Sequence, residues 1–530
     1  MIGLPLPPTQ AGNAAPFTDA ESAGDWLMRQ PQANAPAMQA ELAQQIARLN
    51  AYAMPARERF KTLEVLRKTL FAVAAECQRR FETRPLPLAG GEQAMLDTAR
   101  DLWRACTVGY LHCLRAVLDG DPTLAGQGAR VAHRVLSGLR MEQASCHAGG
   151  VEPDAEFWRT LHAVLAAAEH LDCTRLPVAD RLLGETAEST VGGQYAMALL
   201  LHLARPFALS RGQLSAATRW FARWREQAAV LAAPDDPRPG RCVALDLALD
   251  APTHRGPGGA AEPRWLALSG VLRKMRKRLE ALAAGATPES LKLGSGLSAE
   301  ACTGLLKTLA EHLKQPEAPL ASAGADAPAA TLVGGLDHIY RQLGGKSLKA
   351  LDDAGLLRDR RAHEQIALFG HVVRTEEEEP VPAEIWRIAE SEGRILHLCR
   401  PPGGGEARLA QRALIGLRLP GQARYALARI ASLRMDGKGT LHAFAQQLPG
   451  AAQTVIAEVR ERVGGRNERH PAFLLPALDA VGSPAQVLLA AGLPARAQTI
   501  SLLAENGAAL RLDYCAERGS DYERWVCRPA

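Results

Sequence analysis

The stretch Trp386-Arg387-Ile388-Ala389-Glu390-Ser391-Glu392-Gly393-Arg394-Ile395-Leu396-His397-Leu398 decides how the second half of this chain is read. It reads as a strand, a tight break at 391–393 and a second strand. Ile395, His397 and Cys399 alternate with Arg394, Leu396 and Leu398, the period of two of a β-strand whose faces differ. Arg358, Arg360 and Arg361 cluster just upstream. Working outward, 366–373 reads as a strand and 376–379 as an acidic loop. Downstream, Ala413, Ile415, Leu417 and Leu419 alternate on one strand, and Tyr425, Leu427 and Leu433 on a longer one. Asp436-Gly437-Lys438-Gly439 turns that strand back into 440–446, a good hairpin signal. More strands are expected over 455–463, 473–478, 486–489, 499–503 and 509–514.

An arginine cluster, a strand, an acidic loop and a strand ending in Ser391-x-Gly393 together resemble the PilZ domain, a small bacterial β-barrel that often binds cyclic di-GMP. In that family an Arg-x-x-x-Arg pair precedes the first strand, and an Asp/Asn-x-Ser-x-x-Gly motif follows on the next strands. The resemblance implies a barrel over 336–464 and nucleotide contacts from Arg358, Arg360, Arg361, Ser391 and Gly393. Guanidinium groups suit such a ligand, pairing with phosphate in a planar fork and stacking on guanine. A short polar side chain can bond to the base edges, and glycine lets the backbone approach. Three features depart from the pattern. Ala389 stands where the family has Asp or Asn, Arg394 occupies the place of the final glycine, and Glu364 and Gln365 follow Arg360 and Arg361 by four. The lost base contact at Ala389 alone is worth about 1–3 kcal/mol. The expectation is therefore a non-enzymatic signalling or scaffold protein whose degenerate PilZ-like domain acts on a protein partner, with cyclic di-GMP doubtful. The alternative is a cyclic di-GMP effector that uses the arginine cluster in a non-standard way.

The first half has a different grammar. Leu63, Leu66, Leu70 and Val73 recur at helical steps, with Arg67, Lys68 and Arg79 left over. Proline and glycine breaks at 85–87, 120–122, 149–153 and 177 mark helix hairpins. The expected fold is α+β: a tail over 1–20, then a multi-helix bundle over 21–314 with a short β-insert near 241–269. A linker over 315–335, the barrel, and an additional C-terminal β-unit over 465–530 complete it. Trp220, Phe221 and Trp224 read as core. The segment 195–224 that carries them also resembles the helical half of certain bacterial proteins with a PilZ-like domain at the other end.

Composition narrows the function classes. The 530 residues are 47% hydrophobic and 22% charged, as in ordinary globular proteins, and a net charge of +5 does not itself imply nucleic acid. No apolar run approaches the roughly 20 residues of a membrane helix, and 1–21 lacks the pattern of a secretory signal. Ten scattered cysteines without Cys-x-x-Cys pairs read as reduced thiols, so a cytoplasmic location is expected. Arg273-Lys274-Met275-Arg276-Lys277-Arg278 is the strongest basic run and reads as a solvated helix face rather than a phosphate site. Gly344-Gly345-Lys346-Ser347 fails as a P-loop, because Tyr340 stands where the first glycine belongs. The fourteen histidines occur singly, so no catalytic residue, cofactor or metal site is expected.

Overall fold

A computed structural model describes residues 3–10, 17–31, 33–183, 188–236, 238–254, 259–318, 320–324, 326–345, 382–461, 467–478, 482–503 and 510–529. They form two compact units, one of 1–84 with 88–319 and one of 85–87 with 320–530. The class is α+β, helices first and antiparallel sheets after.

The first unit is built from α1 (Ala20–Arg29), α2 (Ala35–Asn50), α3 (Ala56–Gln78), α4 (Gly90–Leu118), α5 (Gly128–Ala148), α6 (Ala155–His170), α7 (Val191–Leu203), α8 (Arg211–Trp224), α9 (Ser269–Ala283) and α10 (Ala299–Lys314). Side-chain caps start many of them. Asp19, Asn34, Asp154, Thr190, Ser210 and Ser298 each accept a bond from a first-turn amide that the helix leaves unpaired. The leucine stripe of α3 works as its spacing demands, with Leu63, Leu66 and Leu70 fully buried. Trp220, Phe221 and Trp224 lie in the same core, and Trp220 Nε1 donates to the Leu293 carbonyl at 2.9 Å. A short strand pair and a three-stranded sheet interrupt the helices. β1 (Val178–Ala179) pairs with β2 (Glu188–Ser189), and β5 (Pro263–Ala267) lies between β3 (Val230–Leu231) and β4 (Cys242–Asp246). No described helix is long and apolar enough to cross a membrane.

The second unit holds two six-stranded sheets. β6 (Ala329–Gly334), β7 (Glu384–Glu392), β8 (Ile395–Arg400), β9 (Leu414–Arg418), β10 (Ala426–Met435) and β11 (Leu441–Gln447) close into an antiparallel barrel in the order β10-β11-β8-β7-β6-β9. β12 (Gln453–Glu461), β13 (Asn467–Leu475), β14 (Gln486–Ala490), β15 (Ala497–Leu503), β16 (Leu510–Arg518) and β17 (Tyr522–Pro529) form the other, in the order β15-β12-β13-β14-β17-β16. Helix α11 (Leu336–Gln342) plugs Ile339 and Tyr340 into a core shared with Leu414 and Leu427 of the barrel and Phe473 and Leu488 of the second sheet. A closed barrel leaves no free edges, and this one is compatible with the PilZ resemblance.

Two expectations need correction. The stretch expected as linker ends in a barrel strand: Ala330, Leu332 and Val333 of β6 are buried, an alternation hidden in Ala-rich surroundings. The second sheet begins at Gln453, ahead of the boundary expected at 464/465. Helix α11 ends at Gln342, and the strand expected at 366–373 lies outside the described residues.

Candidate functional site

Ser391 and Gly393 belong to the β7–β8 hairpin. Glu392 pairs with Ile395, so Gly393-Arg394 is a two-residue turn, and Gly393 takes φ +58°. Glycine is favoured at that first turn position because a side chain there is strained. Ser391 pairs with Leu396, and both Ser391 and Gly393 are exposed. The register shifts between Ile388 and Glu390, a β-bulge at Ala389. A bulge re-aims the side chains beyond it, which a simple alternation cannot show. The structure thus brings Ser391 and Gly393 together on one hairpin. Arg358, Arg360 and Arg361 lie outside the described residues.

A second feature lies in the helical unit. A cleft of about 520 Å³ is lined by Arg238 and Arg241 from a loop, Arg273 and Arg276 from α9, and Lys307 and Lys314 from α10. Part of this charge is neutralised. Arg238 bonds Asp236 and holds its carboxyl down at about 2, and Lys314 pairs with Glu311 at 2.9 Å. Arg273 and Lys307 form no ion pair among the described residues. The basic run read as a solvated face is therefore divided. Arg273 and Arg276 line the cleft, whereas Arg278 donates to the Leu291 carbonyl at 3.1 Å. Sequence reasoning missed the cleft because its cations come from three separate segments.

A third feature corrects the reading of every histidine as isolated. His397 Nε2 lies 3.0 Å from His442 Nδ1, and Cys399 Sγ lies 3.6 Å from the first and 3.4 Å from the second. All three residues are buried. Burial pushes the Cys399 thiol up to about 11. It also holds His442 below its ordinary value, against the pull of the Asp436 carboxylate. These are the described residues able to hold a metal ion as a group of three. The available signal was His397-x-Cys399 on a single strand face, but His442 joins only through strand register.

The helical unit also buries a charged network. Arg67 clasps both oxygens of Asp180, at 2.8 and 2.5 Å, and Arg134 reaches the same carboxylate at 3.1 Å. Glu64 accepts from Arg134 at 2.9 Å, Arg130 at 2.7 Å and Tyr110 at 2.8 Å. Each cation here already has a carboxylate, so the network holds structure together rather than inviting an anion.

Comparison with known families bears on this helical unit. Residues 21–235 match the family model of the N-terminal domain of the cyclic-di-GMP receptor FimW. The match spans less than half of the chain. No curated protein and no solved structure matches the chain. The match overturns the expectation that cyclic di-GMP is doubtful as a partner. That expectation weighed only Ala389, Arg394 and the arginine spacing, all in the second half, whereas the match lies in the first. The family named is a receptor family and not an enzyme family.

Proposed function

We propose that this protein is a cyclic di-GMP receptor. The observation that carries the reading is the match of 21–235 to a receptor domain, on a chain that continues into a closed six-stranded barrel. The ligand offers two phosphates and two guanines. Arg358, Arg360 and Arg361 are the guanidinium groups assigned to it, with Ser391 and the backbone at Gly393 on the β7–β8 hairpin. Binding replaces catalysis in this reading, and no residue is given a catalytic role.

The cation-lined cleft supports a second placement of the same ligand, because Arg273 and Lys307 are left without ion pairs among the described residues. Calorimetric titration of variants separates the two. A charge-assisted phosphate bond is worth about 1.5–3 kcal/mol, so losing one weakens binding about tenfold or more. Arg361→Ala is expected to show that loss, and the pair Arg273→Ala with Lys307→Ala to bind like wild type. The opposite pattern moves the ligand into the cleft.

A further inference from the structure

We propose that His397, Cys399 and His442 bind one zinc ion on the face of the barrel formed by β8 and β11. The placement follows from strand geometry. His397 and Cys399 are two apart on β8, so both project from one face. His442 is the register partner of Cys399 on β11, which puts its ring over the same face. Phe444, the register partner of His397, stacks on the His397 ring at 4.3 Å and sets its plane.

The spacing suits tetrahedral coordination. Zinc bonds of about 2.0–2.1 Å to nitrogen and 2.3 Å to sulfur put two ligand nitrogens about 3.3 Å apart and a nitrogen and sulfur about 3.6 Å apart. The observed separations are 3.0 Å between the nitrogens, with 3.6 and 3.4 Å from them to sulfur. A hydrogen bond between two neutral rings explains the first contact. It does not require a thiol close to the same two nitrogens. The far side of His442 adds an independent observation, since Nε2 lies 3.3 Å from Asp436 Oδ2. A carboxylate behind a ligating imidazole fixes its tautomer and raises its basicity.

The donor set selects the ion. Two imidazoles and a thiolate favour zinc or cuprous copper over magnesium or calcium, which take oxygen. The Cys399 thiolate and the Asp436 carboxylate offset the two charges of zinc, while Arg434, over Phe444 at 5.5 Å, adds one positive charge nearby. On binding, the thiol gives its proton to solvent as the sulfur–zinc bond forms. Three protein ligands leave a fourth position for water or another small donor. The bond set ties two adjacent barrel strands together.

The test uses the full chain, stripped with a chelator and titrated with cobalt(II) and then zinc. Expected are one cobalt per chain, a thiolate-to-cobalt charge-transfer band bleached by one equivalent of zinc, and a higher melting temperature with zinc. Cys399→Ser should abolish the band, and Cys515→Ser should keep it. Asp436→Asn retains the Oδ1 acceptor of its turn and should weaken zinc binding about 10–100-fold. Absence of the band in wild type, or its persistence in Cys399→Ser, overturns the site. Uptake of cuprous copper with no uptake of cobalt or zinc overturns the choice of ion.

Discussion

Asp180 shows what a single buried carboxylate contributes here. Its side chain is 3% exposed, and Arg67 and Arg134 both rest on it. Replacing both partners with apolar groups could be nearly neutral, but removing one strands the others. Asp180→Ala should therefore cost about 3–5 kcal/mol, read from denaturant unfolding of the helical unit by circular dichroism. A cost below about 1 kcal/mol would show that the network is dispensable. The same groups set a pH dependence. Burial raises the Asp180 pKa, but the hydrogen bond and charge of Arg67 outweigh it, and the net direction is down. Glu64 behaves alike, with Arg134 overcoming burial. A depressed folded pKa gives stability that is present above the ordinary carboxylate value of about 4 and lost as the pH falls through the folded value. The melting temperature of wild type should fall across that acidic window. Asp180→Asn should melt lower at neutral pH and show a shallower fall.

At the scale of elements, close approach of helices decides the sign of a glycine substitution. A Cβ on Gly138 of α5 would sit 2.5 Å from Thr107 Oγ1 on α4. Alanine gains about 1 kcal/mol of helix propensity over glycine, while overpacking costs about 1–3 kcal/mol. Gly138→Ala should thus destabilise, whereas Gly304→Ala on α10, with nothing within 4 Å, should stabilise by about 0.4–1 kcal/mol. Paired thermal melts check both directions. Elements of this kind were legible in the sequence where the periodicity was strong. The stripe of α3 and the turn at Asp436, whose Oδ1 accepts from Lys438 and Thr440 amides at 2.9 and 2.8 Å, announce themselves. β6 did not, because small residues beside Pro and Gly carry little strand signal. Nor did the bulge at Ala389, since a register shift depends on the partner strand.

For the whole molecule, the α+β division could be read from the switch of period, whereas the barrel was expected only from the PilZ resemblance. The places where groups converge could not. The six cations of the cleft and the His397–Cys399–His442 triad assemble from segments far apart in sequence. Ser391 and Gly393 could be placed on one turn because they are neighbours in the chain. The ligand is a related case: Ala389, Arg394 and the arginine spacing belong to one half of the chain, whereas the other half also informs what is bound. The match over 21–235 restores cyclic di-GMP as the ligand to test. The direct measurement is calorimetric titration of the full chain with cyclic di-GMP, beside GTP as a control for unspecific anion binding to basic surface. The receptor reading predicts saturable heat with micromolar or tighter affinity, unaffected by an excess of GTP. Absence of saturable heat, or equal displacement by GTP, would contradict it.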